Sequence, residues 1–148
     1  TLTSTGMKTE SVDSFTLADH VWKKSILITS ISPICGLSKL SISEAMSSTD
    51  TAEIVEQTLL ESMEVAKAEG IHFGENFVKL CLRELKNMGG HIPSLAVDIL
   101  NNRQTEIDFF SGKIVDYGRK HYIQTPLNLT FTNLVNAVTR KANDKVYG

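Results

Sequence analysis

Residues 51–68, TAEIVEQTLLESMEVAKA, carry the clearest structural signal in the chain. Apolar residues recur there at every third or fourth position, which is the period of one face of an α-helix. The side chains predicted to face the core are Ile54, Val55, Leu59, Met63 and Ala66. The side chains predicted to face solvent are Glu53, Glu56, Glu61 and Lys67. Asp50 or Thr51 is predicted to cap the start of this helix, and Gly70 its end.

The sequence on both sides predicts further helices joined by short connections. The predicted helices cover about 15–35, 41–48, 51–68, 75–88, 94–101, 105–121 and 126–142. The helix over 75–88 is expected to bury Phe77, Leu80, Cys81, Leu85 and Met88. Ser94 is predicted to cap the next helix, Thr105–Asp108 to open another as a capping-box variant, and Pro126 to occupy the first turn of the last. Six or seven helices with short connections predict an all-α domain.

The stretch over about 15–35 is the most apolar in the chain. Its β-branched residues make a strand arguable, but its length and the start signal at Asp13-Ser14 favour a helix. Pro33 removes a backbone donor and predicts a kink or stop near Ser32, with Gly36 as the exit.

Composition excludes several classes of partner. The chain has 148 residues, 41% of them hydrophobic, and a net charge of −2, so a single domain without affinity for nucleic acid is expected. No apolar run is long enough to span a bilayer, and the first ten residues lack a signal-peptide core, so no membrane partner is expected. Cys35 and Cys81 lie far apart and are interpreted as buried, reduced thiols of a cytoplasmic protein.

Sequence motifs for several kinds of chemistry are missing. The chain has no G-x-G-x-x-G and no P-loop, so it is not expected to hold a nicotinamide cofactor by itself. It has no G-x-S-x-G nucleophile elbow. The four histidines lack the spacing of metal ligands, and no metal site is expected; they are His20, His72, His91 and His121.

Three polar residues occupy positions where catalytic groups could lie, although each has an ordinary structural explanation. Lys24 lies within the most apolar helix, where a lysine usually extends its ammonium group to solvent. Glu106 begins a predicted helix, where a carboxylate complements the helix dipole. Ser94 follows a proline and is by default an N-cap. Composition and spacing alone give none of them a catalytic role.

A family resemblance changes that interpretation. Residues 93–127 read PSLAVDILNNRQTEIDFFSGKIVDYGRKHYIQTPL. This stretch resembles the C-terminal domain of ketopantoate reductases (2-dehydropantoate 2-reductases), which carries Ser-x-x-x-Asp, then Arg-x-Thr-Glu-Ile-Asp, a Gly four residues on, and later Thr-Pro. The matching residues are Ser94, Asp98, Arg103, Thr105, Glu106, Ile107, Asp108, Gly112, Thr125 and Pro126. Upstream, Trp22-Lys23-Lys24 resembles the family's Trp-x-Lys.

The resemblance implies a fold like the C-terminal domain of 6-phosphogluconate dehydrogenase over residues 14–148, with 1–13 as a linker or domain-entry segment. It also implies a Rossmann domain, absent from this chain, that binds most of the cofactor. The implied reaction is an NADPH-dependent reduction of a small 2-oxo acid, as from ketopantoate to pantoate in pantothenate biosynthesis.

The same resemblance implies roles for four residues. Lys24 would hydrogen-bond the substrate carbonyl and deliver a proton to it. Glu106 would be the second catalytic residue, orienting Lys24 or contacting substrate and cofactor. Ser94 and Ser32 would bind the substrate.

Two positions depart from the family pattern. The family places asparagines one and two helical turns after the lysine, where this chain has Ile28 and Ser32. Ile28 cannot donate a hydrogen bond, which favours a more apolar 2-oxo acid than ketopantoate. The departures also leave open a non-catalytic helical domain that serves dimerisation or ligand sensing. Either interpretation leaves room for a homodimer formed through the helical domain.

Overall fold

The computed structural model describes residues 16–147, with side chains described as far as Lys141. These residues form seven α-helices and one 3-10 turn, without a strand among them, which confirms the predicted all-α class. The helices are α1 (Leu17–Ser38), α2 (Ile42–Ser47), α3 (Thr49–Ala68), α4 (Phe77–Lys86), α5 (Ser94–Leu100), α6 (Ser111–Lys120) and α7 (Pro126–Tyr147), and the 3-10 turn covers Ile107–Phe109. The predicted linker, residues 1–13, lies outside the described part of the chain. Between residues 16 and 147, no helix is both long enough and apolar enough to cross a membrane.

Helix α1 begins with a capping box. The Asp19 N–H donates to the Thr16 hydroxyl at 3.2 Å, and the Thr16 N–H donates to the Asp19 carboxylate at 2.8 Å. This reciprocal pair satisfies two backbone donors that the first helical turn leaves free. The start signal predicted at Asp13-Ser14 falls outside the described residues.

The second half of α1 is buried, which explains why the helix continues past its proline. Pro33 lacks the N–H that the helix ladder needs. Every residue from 29 to 36 is nevertheless buried, so packing holds the helix where local propensity would end it. Of the kink or stop predicted near Ser32, the stop is therefore wrong, and so is the exit predicted at Gly36. The helix ends at Ser38, with Lys39 in a left-handed conformation at φ 65°.

Gly36 lies at a very close approach between α1 and α5. A Cβ atom at Gly36 would lie 2.4 Å from Ile99 Cδ1 and 3.0 Å from Ile99 Cβ. These distances are well below the optimal separation of about 3.5–4.0 Å for nonbonded carbons. Ile99 is buried, so its side chain has little room to move. The absence of a side chain at Gly36 therefore lets the two helices pack directly.

Replacing Gly36 with alanine should destabilise the fold by about 1–3 kcal/mol, because the added methyl group overpacks the contact with Ile99. Urea denaturation measures this effect. The matched control is Gly90→Ala, where nothing lies within 4 Å of the added atom. Combining Gly36→Ala with Ile99→Val should recover part of the loss. Wild-type stability in Gly36→Ala would contradict the close approach.

Helix α3 follows its predicted pattern in the core and departs from it at the edges. Its buried residues include Val55, Leu59 and Ala66, as expected. Ile54 is wrongly predicted, because its side chain is 36% exposed at the border of the apolar stripe. Ser48 occupies the N-cap position, so Asp50 and Thr51 lie inside the first turn instead of capping it. The chain leaves the helix at Gly70, with φ +87°, as predicted.

Helix α4 also buries fewer residues than its periodicity predicts. Its buried residues are Phe77, Cys81 and Leu85, in agreement with the sequence. Leu80 and Met88 were expected inside, but both are exposed. The helix is short and ends at Lys86, so Met88 lies beyond the part that packs on the core.

Glu61 contacts another helix, which corrects the outward orientation predicted for it. Its carboxylate accepts hydrogen bonds from the backbone N–H groups of Leu127 at 3.0 Å and Asn128 at 2.8 Å. The Asn128 side-chain amide donates to the same carboxylate at 2.7 Å. These donors belong to the first turn of α7, which begins at Pro126 as predicted. A carboxylate at this end also complements the helix dipole, so α3 fixes the start of α7.

The predicted helix over 105–121 is wrong as one element. The structure has a 3-10 turn at Ile107–Phe109, a break at Phe110 (φ −113°, ψ −86°) and then α6. The expected capping box does not form, because the Thr105 hydroxyl accepts from the Ile107 N–H at 3.2 Å. Ile107 is fully buried and anchors this turn to the core. The chain therefore forms two short elements, with a break at Phe110, where one continuous helix was predicted.

A polar cluster ties the end of α3 to the end of α6. The Glu69 carboxylate accepts a hydrogen bond from His121 and forms an ion pair with Lys120 at 3.0 Å. The hydrogen bond from His121, followed by that from Lys120, lowers the pKa of Glu69 below its ordinary value. A carboxyl group whose pKa is lowered by folding stabilises the native state only while it is ionised.

The stabilisation from Glu69 should therefore be present above its unfolded-state pKa of about 4.3 and fade as pH falls below that value. We expect Glu69→Gln to lower the melting temperature near pH 6 and to have little effect near pH 3. Glu64→Gln, an exposed change on the same helix, is the control and should have little effect at either pH. A Glu69→Gln difference that does not depend on pH would contradict this assignment.

Candidate active site

A cavity of about 390 Å³ lies between α1, α5 and the segments that precede α5 and the 3-10 turn. This volume is in the range of small-molecule sites. Its polar lining residues are Lys24, Ser32, His91, Ser94, Asp98 and Glu106. All four residues for which the sequence predicts a site role line this cavity, although Lys24 and Glu106 are far apart in the chain.

Helix α1 supplies one wall through residues spaced by single turns. Lys24, Ile28 and Ser32 follow one another at intervals of four positions, which places them in a row along one helix face. Exposure falls along this row: Lys24 is exposed, Ile28 is half-buried and Ser32 is only 2% exposed. The row therefore runs from the cavity rim, at Lys24, to its floor, at Ser32.

The Lys24 ammonium group has no ion-pair partner within the described side chains. Its neighbour Lys23 faces a different way and forms an ion pair with Glu84 at 3.5 Å. Glu106 lines the same cavity as Lys24, yet the two side chains are not paired. An ammonium group without a carboxylate partner keeps its donors available for a ligand oxygen.

Ser94 is the first residue of α5, which corrects its predicted role as the cap. The cap position belongs to Pro93, whose φ of −61° and ψ of 150° lead into the helix, and no side chain caps this helix end. The Ser94 side chain is exposed at the cavity. Its hydroxyl can therefore donate to, or accept from, a bound molecule.

His91 also lines the cavity, although its sequence context predicts no role for it at a site. The loop that carries it is fixed by two backbone hydrogen bonds from the start of α2. Ile42 N–H donates to the His91 carbonyl at 3.0 Å, and Ser43 N–H donates to the Gly89 carbonyl at 2.9 Å. These contacts join segments distant in sequence, so no local pattern could have placed His91 at the cavity.

Asp98 lies one turn after Ser94 and is held by Arg103. Two guanidinium nitrogens of Arg103, Nε and Nη2, each lie 3.0 Å from Asp98 Oδ1. The Arg103 N–H also donates to the Asp98 carbonyl at 2.8 Å, across a left-handed Asn102 (φ 58°). Arg103 therefore fixes the orientation of a carboxylate in the cavity wall without lining the cavity itself.

Glu106 reaches the cavity from the residue before the 3-10 turn. Its carbonyl accepts from the Phe109 N–H at 2.9 Å, while its side chain is exposed. The buried Ile107 next to it fixes the backbone at this point. The cavity thus presents the Lys24 ammonium group and the Glu106 carboxylate on elements that are both anchored in the core, together with the Asp98 carboxylate that Arg103 holds.

Comparison with known proteins identifies this architecture. The family model described as ketopantoate reductase PanE/ApbA C terminal matches residues 16–139. The chain belongs to this family of ketopantoate reductase C-terminal domains.

The curated relatives of this domain carry the name 2-dehydropantoate 2-reductase, which is a synonym of ketopantoate reductase. The 2-dehydropantoate 2-reductase of Streptococcus pyogenes is 30% identical over 120 residues, which cover 80% of this chain and 39% of the relative. The enzyme of that name from Pyrococcus horikoshii is 26% identical over 137 residues, which cover 93% of this chain and 45% of the relative. The chain thus spans less than half the length of these curated relatives.

Solved structures share the fold. A dimeric ketopantoate reductase from Staphylococcus aureus superposes with a TM-score of 0.79 at 23% identity, covering 85% of this chain and 44% of that protein. D-mandelate dehydrogenase in a complex with NADH and anilino(oxo)acetate superposes with a TM-score of 0.75 at 25% identity, covering 83% and 41%. The all-helical arrangement is therefore that of ketopantoate reductase C-terminal domains.

Most of the ketopantoate reductase motif residues hold the structure and do not reach the cavity. Asp108 accepts a hydrogen bond from the Asn136 amide at 2.9 Å, which joins the 3-10 turn to α7. A Cβ at Gly118 would lie 2.8 Å from Thr125 Cγ2, so Thr125 packs directly on the backbone of α6. The motif thus combines a scaffold with three residues that line the cavity, namely Ser94, Asp98 and Glu106.

The two thiols are buried, and the described residues contain no cluster suited to a metal ion. Cys35 and Cys81 are free and buried, as predicted, and burial raises the pKa of each thiol to about 11. Thiols of this kind are poor nucleophiles at neutral pH. Among the described side chains, no group of three or more His, Cys, Asp or Glu is placed to hold a metal ion.

Both thiols should resist modification in the native protein. At pH 8 a thiol with a pKa of about 11 is roughly 0.1% ionised, and burial also blocks the reagent. We expect Ellman's reagent to react slowly with native protein and to titrate two thiols rapidly after denaturation in guanidinium chloride, since the chain has two cysteines. Rapid reaction of the native protein would show that the thiols are accessible.

Proposed function

We propose that this chain is the substrate-side helical domain of an NADPH-dependent 2-oxo acid reductase, acting together with a nucleotide-binding domain. The observation that supports this most directly is the shared cavity of Lys24, Ser32, Ser94 and Glu106. The relatives are 2-dehydropantoate 2-reductases, and this chain covers the part of them that carries the corresponding helical fold.

Lys24 is the proposed proton donor. Reduction of a 2-oxo acid puts negative charge on the carbonyl oxygen, and a nearby ammonium group both stabilises that charge and protonates it. Lys24 is suited to this role because its ammonium group is not paired with any described carboxylate. Its anchored backbone in α1 keeps the donor at a fixed place on the rim.

Glu106 and the serines are the proposed positioning and binding groups. A carboxylate at the rim accepts hydrogen bonds from hydroxyl or amide groups, so Glu106 can orient a substrate, a cofactor or the Lys24 ammonium group. The hydroxyl groups of Ser94 and Ser32 supply neutral hydrogen bonds to substrate oxygens from the rim and the floor.

A nicotinamide cofactor would supply the hydride. Residues 16–147 fit only its reactive end, because they contain no strand followed by a glycine turn and a helix, the unit that usually binds the pyrophosphate. Glu106 is the residue of this chain proposed to contact the cofactor. The D-mandelate dehydrogenase that shares this fold is described in a ternary complex with NADH and anilino(oxo)acetate, which supports a nicotinamide cofactor for the proposed reaction.

We also propose a homodimer formed through the helical domain, located in the cytoplasm. The related Staphylococcus aureus protein is described as dimeric, which supports the assembly. The free thiols of Cys35 and Cys81 are compatible with a reducing compartment.

The decisive experiment is Lys24→Ala in the full-length protein that carries this domain. Loss of a general acid should lower kcat by roughly 10²–10⁴-fold for 2-oxo acid reduction, with the fold intact by circular dichroism. The matched control is Lys23→Ala, because the adjacent ammonium group is already paired with Glu84 and lies outside the cavity lining. Near-normal turnover in Lys24→Ala would overturn the proposal.

Calorimetry distinguishes the alternative of a domain that only senses ligands or dimerises. The reductase proposal requires that the full-length protein bind NADPH and a 2-oxo acid. Binding of neither, with a dimer still formed, would favour the non-catalytic alternative.

A further inference from the structure

The lining of the cavity is divided by depth into an apolar floor and a polar rim. The floor consists of the buried lining side chains Ile31, Ile42, Leu85 and Leu95, which are 1–6% exposed, together with Ser32. Above them, the half-buried side chains of Leu27 and Phe110 complete the floor and offer the apolar surface that a ligand can contact. The rim consists of the exposed polar residues Lys24, His91, Ser94 and Glu106, together with the half-buried Asp98. Among the described lining residues, Ser32 is the one polar side chain in the buried part.

We propose that the floor receives the substituent of the 2-oxo acid, so that the substrates are 2-oxo acids with an aliphatic or aromatic substituent instead of a hydroxylated one. This inference rests on the proposed reductase function and names the substrate class of that same site.

The position of Lys24 sets the direction of the substrate. The carbonyl must reach the Lys24 ammonium group, which lies at the rim. The adjacent carboxylate must also stay at the rim, because one hydroxyl group on the floor cannot replace the water around a full negative charge. The keto carbon of a 2-oxo acid carries the carbonyl oxygen, the carboxylate and one organic substituent. With the first two groups at the rim, the organic substituent points to the floor.

The cavity as a whole has enough volume for the oxo acid and this substituent together. A cavity of about 150 Å³ lined by leucine, isoleucine and phenylalanine side chains holds a benzene molecule. The whole cavity here is about 390 Å³, which leaves room for an oxo acid at the rim above a ring or a branched alkyl group.

Ile28 is the proposed specificity-determining residue. Ile28 lies one helical turn from Lys24 and one from Ser32, between the rim and the floor. The first atoms of the bound substituent would therefore lie beside Ile28. A substrate hydroxyl group beside Ile28 would lose its hydrogen bonds to water and gain none from the isoleucine. A substrate methyl group at the same place would gain van der Waals contact with the isoleucine. Discrimination of this kind reaches about 10²-fold in kcat/KM.

The test compares two substrates of equal shape in the full-length protein. Ketopantoate carries a terminal hydroxyl group, and 3,3-dimethyl-2-oxopentanoate carries a methyl group in its place. We expect kcat/KM to favour the methyl compound by about 10²-fold, and phenylglyoxylate to be reduced as well. Ile28→Asn should lower the ratio of kcat/KM for the methyl compound to kcat/KM for ketopantoate at least tenfold, because the asparagine amide can hydrogen-bond the hydroxyl group of ketopantoate.

Two control variants separate this effect from general damage. Ile28→Val keeps the wall apolar and should keep the wild-type preference. Leu134→Asn makes a similar polar change on α7, at a side chain that is 48% exposed and outside the cavity lining, and should leave the preference unchanged.

The outcomes are distinct for the two proposals. A wild-type protein that reduces ketopantoate faster than the methyl compound would overturn the substrate class and leave the reductase function standing. An unchanged preference in Ile28→Asn would overturn the role of Ile28. Failure to reduce any 2-oxo acid with NADPH or NADH would overturn both proposals.

Discussion

The direct contact between α1 and α5 at Gly36 determines the geometry of the site. Because no side chain separates the backbone of Gly36 from Ile99, the second half of α1 is held against α5 by close packing. Lys24 lies on the same helix, about three turns from that contact. Because α1 is continuous from Lys24 to Gly36, fixing Gly36 against Ile99 also fixes the position of the Lys24 backbone. The packing of two apolar residues therefore determines where the Lys24 ammonium group lies.

In the cavity wall opposite α1, some residues line the cavity and their neighbours hold them in place. Ser94, Asp98 and Glu106 line the cavity, while the residues between and after them hold the backbone. Arg103 pairs with Asp98, and the buried Ile107 anchors the turn that carries Glu106. Arg103 thus holds the Asp98 carboxylate by two contacts to one of its oxygens, whereas Glu106 is placed by the packing of its neighbour Ile107 and keeps its own carboxylate available.

Sequence periodicity is sufficient to predict the class of the fold and most of its helices, because helices such as α3 and α4 have one apolar face and α1 is long and apolar. It fails where tertiary contacts override local rules. Pro33 lies within a helix because its surroundings are buried, and Glu61 faces α7 because α7 needs a cap. The turn at Ile107–Phe109 replaces a helix because Ile107 enters the core.

The candidate site is predictable only in part. Lys24, Ser94 and Glu106 have ordinary structural explanations when taken one by one, and only the resemblance of the ordered motif brings them together. The structure adds His91, whose place depends on hydrogen bonds between α2 and a distant loop. The depth of each residue in the cavity, which separates floor from rim, is not encoded in local spacing at all.

The ion pair between Arg103 and Asp98 also affects how an anion approaches. Asp98 would otherwise add a second negative charge to the lining that contains Glu106, which would oppose the carboxylate of the proposed substrate. The guanidinium group compensates that charge from outside the lining, so the formal charges of Lys24, Asp98, Arg103 and Glu106 sum to zero and the Lys24 ammonium group can still attract an anion. Since such fields extend only about 10 Å at moderate ionic strength, association of an anionic ligand should be sensitive to salt through a residue that it never touches.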